Sequence, residues 1–402
     1  MTALLWTSDE LVKATRGILH GPAFEITDLV IDSRKVVPGC LFIALPGERV
    51  DGHDFVGAAI DAGAAAALVS RLPGASGSDA PLLLVDDVVS GLTDIARAAR
   101  ARSSATILAV TGSVGKTGTK DSLAAALAVS GSVHASIGNL NNHIGAPLSL
   151  SRLPKDADYA VLELGMNHPG EISDLTRLVR PDLAMITNVE ATHIGHFRDI
   201  EQIAEAKSEI FEGLEKDPGR AVLNRDNAHF PFCAKKAEAA GARIVSFGRS
   251  EDAVVRLTGT ECGTDGSNIV VQIDGRQFMY RIDGIGEHWA FNSVGVLACI
   301  HALGLDIHKA AKAIRKVTAK AGRGRQEEIA FGDTSLLLID ESYNASPASV
   351  NAALGVLSMT KPKATGRRIA VLGDMLELGE RSECLHLDLL AKVRSAADLV
   401  FT

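Results

Sequence analysis

The chain has 402 residues, 46% hydrophobic, 22% charged and only 4% aromatic, with 38 glycines. That composition excludes a mainly disordered chain and predicts two or three domains whose cores are small aliphatic residues. Lys and Arg number 41 against 49 Asp and Glu, a formal charge of −8. The broad basic footprint of a nucleic-acid binder is missing, so an anionic ligand must be held by local groups.

Residues 1–104 alternate short apolar runs with turn residues. The runs at 41–45, 65–69 and 82–85 predict strands, and 55–62 and 89–102 predict helices. Arg97, Arg100 and Arg102 close the second helix, where cations suit the negative end of the dipole. At Thr106 an apolar run, ATILAV, enters a glycine-rich turn and then the strong helix former DSLAAALAV. Further strands are predicted at 159–164, 183–188, 220–224 and 244–247, with helices at 170–179, 200–215 and 228–240 between them. Alternation of this kind predicts a mostly parallel sheet covered on both faces. Residues 251–283 predict hairpins, and 289–304 with 306–317 a helix pair. After a linker at 320–325 a third α/β pattern follows: strand 336–340, helix 348–358, strand 369–372, helix 385–396 and strand 399–401. The chain ends within that last strand, so a C-terminal domain lacking its closing elements is expected.

The five cysteines, Cys40, Cys233, Cys262, Cys299 and Cys384, have no metal-ligand spacing and are odd in number. Free thiols in a reducing cytoplasm are expected. Neither a signal peptide nor an apolar stretch of membrane-spanning length occurs in the sequence, so no membrane insertion is expected.

The strongest chemical signal is Gly112-Ser113-Val114-Gly115-Lys116-Thr117-Gly118, between a strand and a helix. Consecutive backbone N–H groups at a helix N-terminus cradle phosphate, Lys116 can reach the β- and γ-phosphates, and Thr117 can ligate Mg²⁺. The spacing is GxxGKT, shorter than a full Walker A. Glu163 ends the strand YAVLEL, where it can supply a hard oxygen to the same metal. His193 follows the next strand and can orient substrate or bind metal. Lys207, on a predicted helix, reads locally as a solvated surface lysine. The amide-rich segment with Asn139, Asn141 and Asn142 can serve a sugar or peptide, or can simply form a turn. Asp340 and Glu341 end one strand of the third pattern, and Asp374 and Glu377 follow the next, outlining a ligand-facing rim.

Taken in order, TGSVGKT, NLNNHIGAPLSL, LELGMNHPGEI, ITNVEATHIGHF, EAKSEIF, LNRDN, EHWAFNSVGVLA, GRGRQE, DESYNASPAS and GDMLELG resemble the Mur ligase family of ATP-dependent amide ligases. The last two are most like the branch that adds D-alanyl-D-alanine to UDP-N-acetylmuramoyl-tripeptide. The resemblance implies three α/β domains: 1–104 for the UDP-sugar peptide, 105–320 as a P-loop ATPase-like domain, and 321–402 as a Rossmann-like, incomplete ligase domain. It implies ATP, two Mg²⁺ ions, an acyl-phosphate intermediate, a role in peptidoglycan synthesis, and a monomer with no nucleic-acid partner. By the same resemblance Glu163 is a metal ligand, His193 lies near the second metal, and Lys207 is carbamylated. Asn292 contacts adenine, Arg325 the γ-phosphate (with Arg323 close by), Asp340 or Glu341 the ribose, and Ser33 and Arg34 the uridine. Ser346 departs from the branch, which has Asn there. Alternatives are the sister ligase that adds the third residue, whose DNPR-like tetrapeptide is missing, a folylpolyglutamate-synthase-like ligase, and a binding-only fragment.

Overall fold

The computed structural model describes residues 4–47, 49–72, 80–215, 218–332, 334–362 and 365–402. The chain forms two compact units. One comprises Met1–Ile107, Val133–Leu162 and Arg177–Arg180; the other comprises Leu108–Ser132, Glu163–Thr176 and Pro181–Thr402.

The N-terminal segment runs β1 (Trp6–Thr7), α1 (Ser8–Thr15), β2 (Ile18–His20), β3 (Glu25–Ile26), β4 (Asp28–Val30), β5 (Cys40–Ile43), α2 (Val56–Asp61), β6 (Ala66–Val69), β7 (Leu82–Leu84) and α3 (Val88–Arg102). Thr7 and Glu10 form a reciprocal capping box that starts α1. Five strands lie in the order β2-β7-β6-β5-β4, parallel except for β2. Along β5, Leu41 and Ile43 face one core cluster while Cys40 and Phe42 face the other. Burial on both faces is why these strands read as unbroken apolar runs. Arg100 and Arg102 do more than balance a dipole. Arg100 donates to the carbonyls of Val179 and Arg180, which end a helix, and Arg102 stacks 3.3 Å from the Trp6 ring centroid.

The chain continues β8 (Thr106–Thr111), α4 (Lys116–Leu127), β9 (Val133–Ala135), α5 (Gly145–Ser151), β10 (Tyr159–Glu163), α6 (Glu171–Val179), β11 (Leu183–Ile186), α7 (Ile200–Ser208), β12 (Arg220–Asn224), α8 (Phe230–Ala239) and β13 (Arg243–Gly248). Then come β14 (Val255–Gly263), β15 (Gly266–Ile273), β16 (Arg276–Ile282), α9 (Glu287–Ala302) and α10 (Ile307–Ile314). In the first unit β9 and β10 pair in parallel. In the second, strands run in the order β16-β15-β14-β13-β12-β11-β8. Pairing is parallel from β8 to β14 and antiparallel through the β14–β16 meander, so the sheet is mixed. Helix α9 is apolar on every side because it is buried between α4 and the sheet. A Cβ on Gly295 would lie 2.6 Å from Met185 Cε and 3.1 Å from Phe247 Cζ, so a larger residue there would have to push the Met185 methyl and the Phe247 ring aside. The helix expected over 200–215 ends at Ser208 and tightens into a 3₁₀ turn, Glu209–Gly213.

The last segment holds β17 (Arg325–Phe331), β18 (Thr334–Asp340), α11 (Pro347–Met359), β19 (Ile369–Val371), α12 (Ser382–Asp388), α13 (Leu390–Ala396) and β20 (Leu399–Phe401). β17 and β18 form an antiparallel ladder, and β19 pairs in parallel with β20. β17 was not expected: Arg325-Gln326-Glu327-Glu328 lacks an apolar alternation. The single helix expected over 385–396 is two helices. All five cysteines are free thiols. Among the described residues no helix is long and apolar enough to cross a membrane.

Candidate active site

The glycine-rich turn lies at the end of β8 and opens α4. Gly112 has φ 148 and Gly115, the cap of α4, has φ 82, backbone that favours glycine. A Cβ on Gly112 would lie 1.9 Å from Thr187 Oγ1, and one on Gly115 would lie 2.7 Å from Asn292 Nδ2. The loop is laced to residues 187–190. Ser113 N–H donates to Asn188 O at 3.1 Å and Val114 N–H to Asn188 Oδ1 at 3.0 Å. Thr187 Oγ1 donates to Val114 O at 2.8 Å, and Ser113 Oγ donates to Glu190 O at 2.9 Å. Thr187 and Asn188 were not among the sequence candidates, because their role is to brace a loop 70 or more residues away.

Lys116 folds back on this loop and donates from Nζ to Gly112 O at 2.7 Å and Ser113 O at 3.3 Å. Burial depresses its pKa, Glu163 partly offsets this, and the Arg323 guanidinium adds to the depression. A desolvated ammonium held by two carbonyls is ready to exchange them for phosphate oxygens. Thr117 Oγ1 donates to Glu163 Oε2 at 2.9 Å, and the N–H of Leu164 donates to Val110 O at 2.9 Å. The end of the Glu163 strand is thereby fixed beside β8. This pair of hard oxygens fits Mg²⁺, which takes few protein ligands and completes its shell with water and phosphate. Among the described residues no three His, Cys, Asp or Glu side chains gather into a metal cage.

Lys207 is a correction to the local reading of the sequence. It is 3% exposed, in the last turn of α7. Burial drives its pKa well below the usual lysine value, Lys116 pushes it the same way, and Cys233 opposes. Its periodicity gave no sign of this, because a lysine in EAKSE reads as polar wherever the helix packs.

His193 has φ 55 and contacts Glu377 through Nδ1. Arg325 is exposed and pairs with Glu327 at 2.8 Å, whereas Arg323 stacks 3.9 Å from the Tyr343 centroid and is the cation felt at Lys116.

Asp340 and Glu341 separate into different roles. The Asp340 carboxylate accepts from the N–H of Gly322 at 2.7 Å and from Ser342 Oγ at 2.6 Å, which hold its pKa low and commit it to the turn. Glu341 lines a cavity of about 380 Å³ with His288, Trp289, Gly324, Arg325 and Gln326. Burial, then Asp340, pushes the Glu341 carboxyl up to about 7, against Arg323. Burial lowers His288 to about 4, so it is neutral. His288 and Trp289 lie in the EHWAFNSVGVLA motif but were given no role from the sequence, although they adjoin Asn292 on α9 and Trp289 packs over Gly118.

In the other unit Ser33 and Arg34 lie in a 3₁₀ turn, Ser33–Lys35. Arg34 donates twice to Asp32, from Nε at 2.9 Å and from Nη2 at 2.9 Å. Asn142 Oδ1 accepts from the N–H of Gly145 at 2.8 Å, a cap for α5; Asn139 and Asn141 lie in the turn before it. For Asn142, the turn-forming alternative describes the contact.

Three family models match in chain order: the Mur ligase family catalytic domain over residues 25–99, the Mur ligase middle domain over 110–300, and the Mur ligase glutamate ligase domain over 324–402. The UDP-N-acetylmuramoyl-tripeptide–D-alanyl-D-alanine ligase of Escherichia coli strain K12 is 37% identical over 401 residues, covering 97% of this chain and 84% of its own. That of Rickettsia prowazekii is 35% identical over 393 residues, covering 98% and 85%. Among solved structures, MurF from Acinetobacter baumannii matches with a TM-score of 0.83 at 30% identity, over 100% of this chain and 90% of that one. MurF ligase from Thermotoga maritima in complex with ADP matches at 0.77 and 29%, over 93% and 84%.

Proposed function

The chain belongs to the Mur ligase family, and we propose that it joins D-alanyl-D-alanine to UDP-N-acetylmuramoyl-tripeptide at the expense of ATP, in peptidoglycan precursor synthesis. The observation that carries this reading is the phosphate loop whose Thr117 is hydrogen-bonded to Glu163, with Lys116 beside it and Lys207 buried on the neighbouring helix. We assign 1–104 to the UDP-sugar peptide, 105–320 to ATP and 321–402 to the incoming dipeptide, in a cytoplasmic monomer.

A carboxylate is a poor electrophile, so the reaction needs a leaving group. A terminal carboxylate oxygen of the tripeptide attacks the γ-phosphorus of ATP, and ADP departs. The amine nitrogen of D-alanyl-D-alanine then attacks the acyl carbon. The tetrahedral adduct expels phosphate, loses a proton from nitrogen and leaves the amide. Negative charge accumulates on the transferring phosphoryl group, and fixed cations stabilise it. Lys116 supplies one by leaving its two loop carbonyls; Arg325, with Arg323 beside it, supplies another from the third segment. Gly112, Ser113, Val114, Gly115 and Gly118 shape the cradle. Asn292 and Glu341 position the nucleoside, Glu341 as an acceptor for ribose hydroxyls, with Asp340 fixing its turn. Ser33, Arg34, Asn139 and Asn141 belong to the nucleotide-peptide site, and Asn142 supports it by capping α5.

Thr117, Glu163, His193 and Lys207 would hold Mg²⁺, which when bound supplies charge neutralisation at the phosphates. Lys207 suits carbamylation on electrostatic grounds. Its depressed pKa favours the neutral amine, whose nitrogen attacks CO₂ and loses a proton. The product is an anion, so repulsion from Lys116 becomes attraction.

The test is an amine-substrate screen with UDP-N-acetylmuramoyl-tripeptide and ATP, read by mass detection of the product and by phosphate release. D-alanyl-D-alanine should give a product heavier by one dipeptide less water, with one phosphate per amide. A product formed only with a single amino acid, or only with glutamate, overturns the assignment.

A further inference from the structure

Glu377 read from the sequence only as part of a ligand-facing rim, and the fold brings it to a histidine 184 residues away. Its carboxylate meets His193 Nδ1 and lies 4.0 Å from His196 Nε2. The His196 ring is edge-on to His168, with centroids 5.0 Å apart. The backbone joins at the same place: the N–H of Gly195 donates to Glu377 O at 2.8 Å. A Cβ on Gly195 would lie 3.0 Å from Glu377 O and 3.0 Å from Gly379 N, so the two chains meet at glycine distance. Both His193, φ 55, and Glu377, φ 61, adopt the left-handed region, which is unfavourable for a residue with a Cβ. Left-handed backbone in two facing non-glycine residues is retained where the contact around it over-determines it.

We propose that Glu377 is the positioning residue for His193: a carboxylate delivered by the C-terminal segment that fixes the imidazole so that Nε2 is presented to a divalent cation. The chemistry follows from the ring. An imidazole that donates Nδ1–H to a carboxylate carries its lone pair on Nε2 and is the more basic for it. Metal-bound histidines generally use this arrangement, and losing the outer partner typically weakens metal binding by about 10–100-fold. The consequence here is linkage. The carboxylate comes from residues 373–379 and the histidine from the loop after β11, so docking of the C-terminal segment and cation affinity support one another. This rests on the metal role given to His193 above, and the experiment separates the two.

Mn²⁺ is titrated into the full chain at saturating ADP, with free Mn²⁺ read by electron paramagnetic resonance, for wild type, His193→Ala, Glu377→Ala, Glu377→Gln and the double variant His193→Ala/Glu377→Ala. Glu377→Ala should weaken Mn²⁺ binding by about 10-fold or more. Glu377→Gln, whose amide oxygen still accepts from Nδ1–H, should fall between it and wild type. The double variant should bind no more weakly than His193→Ala. Unchanged affinity in His193→Ala removes the metal role of His193 and the inference with it. Reduced affinity in His193→Ala with wild-type affinity in Glu377→Ala overturns the inference alone. So does a double variant weaker than His193→Ala, because Glu377 would then act by another route. Glu377→Gln as weak as Glu377→Ala also counts against it, since a bond to Nδ1 would not be what matters.

Discussion

Glu341→Gln should stabilise the protein in neutral and mildly alkaline solution while weakening ATP binding. The carboxyl is pushed up to about 7 from an ordinary 4.5, by burial and by Asp340. In the unfolded chain it ionises near its ordinary value. Below pH 4.5 both states hold the proton and there is no penalty. Between 4.5 and about 7 the folded state binds more protons than the unfolded one, so stability falls as pH rises. Above 7 the penalty is complete. At about 1.4 kcal/mol per pH unit the interval sets a ceiling of roughly 3 kcal/mol. The side chain is only partly buried, which reduces the expected value to about 1–2 kcal/mol. Glutamine keeps the shape and never ionises. Scanning calorimetry at pH 8 should therefore show Glu341→Gln melting a few degrees above wild type, at about 2–4 °C per kcal/mol for a unit of this size class. At pH 5 the difference should nearly vanish. The KM for ATP should rise at pH 8, because an anionic acceptor for the ribose hydroxyls is gone. Equal melting shifts at pH 5 and pH 8, or a destabilised variant at pH 8, would refute the reasoning, since neither follows from an ionisation resisted by the fold.

Lys116→Ala should keep its fold and lose phosphate release by about 10²-fold or more, as for loss of one preorganised stabilising donor; near-normal turnover would remove the P-loop assignment. Lys207→Ala should be nearly inactive and partly restored by acetate, and bicarbonate depletion should slow wild type; an active Lys207→Arg variant together with an acetate-insensitive Lys207→Ala would exclude the carbamate. Gly112→Ala must displace Thr187, whose hydroxyl donates to Val114 O. The broken bond and the left-handed backbone should together cost about 2–4 kcal/mol, seen as a lowered melting temperature and lost ADP binding; a wild-type melt would contradict it.

Several features were legible in the sequence because they are local. A strand, two glycines and Lys-Thr at the head of a helix are a local pattern that can be read whatever surrounds them, and the glycines prove to be the residues whose φ and close contacts exclude a Cβ. Strands buried on both faces announce themselves as apolar runs, as in β12 (Arg220–Asn224), found at the range expected. Elements held by distant partners were illegible for the same reason. β17 carries Glu327 and Glu328 in its middle, and only its pairing with β18 makes it a strand. The amide-rich segment hid α5, whose residues are all buried.

At the site the division is sharper. Residue type and order alone determined the α/β class, the glycine-rich turn between β8 and α4 and the family likeness, because those rest on backbone geometry and on the order of short motifs along the chain. Tertiary structure decided what depends on desolvation and on groups remote along the chain. A lysine's charge is set by what buries it, so the Lys207 that reads as a surface cation is 3% exposed and drawn toward its neutral form. Of the adjacent carboxylates, Asp340 is consumed by its own turn while Glu341 is left to face the cavity. Glu377 acquires a role only by meeting a histidine 184 residues away. No periodicity records such meetings, because the free energy that fixes them comes from solvent exclusion and from charges brought together by the fold.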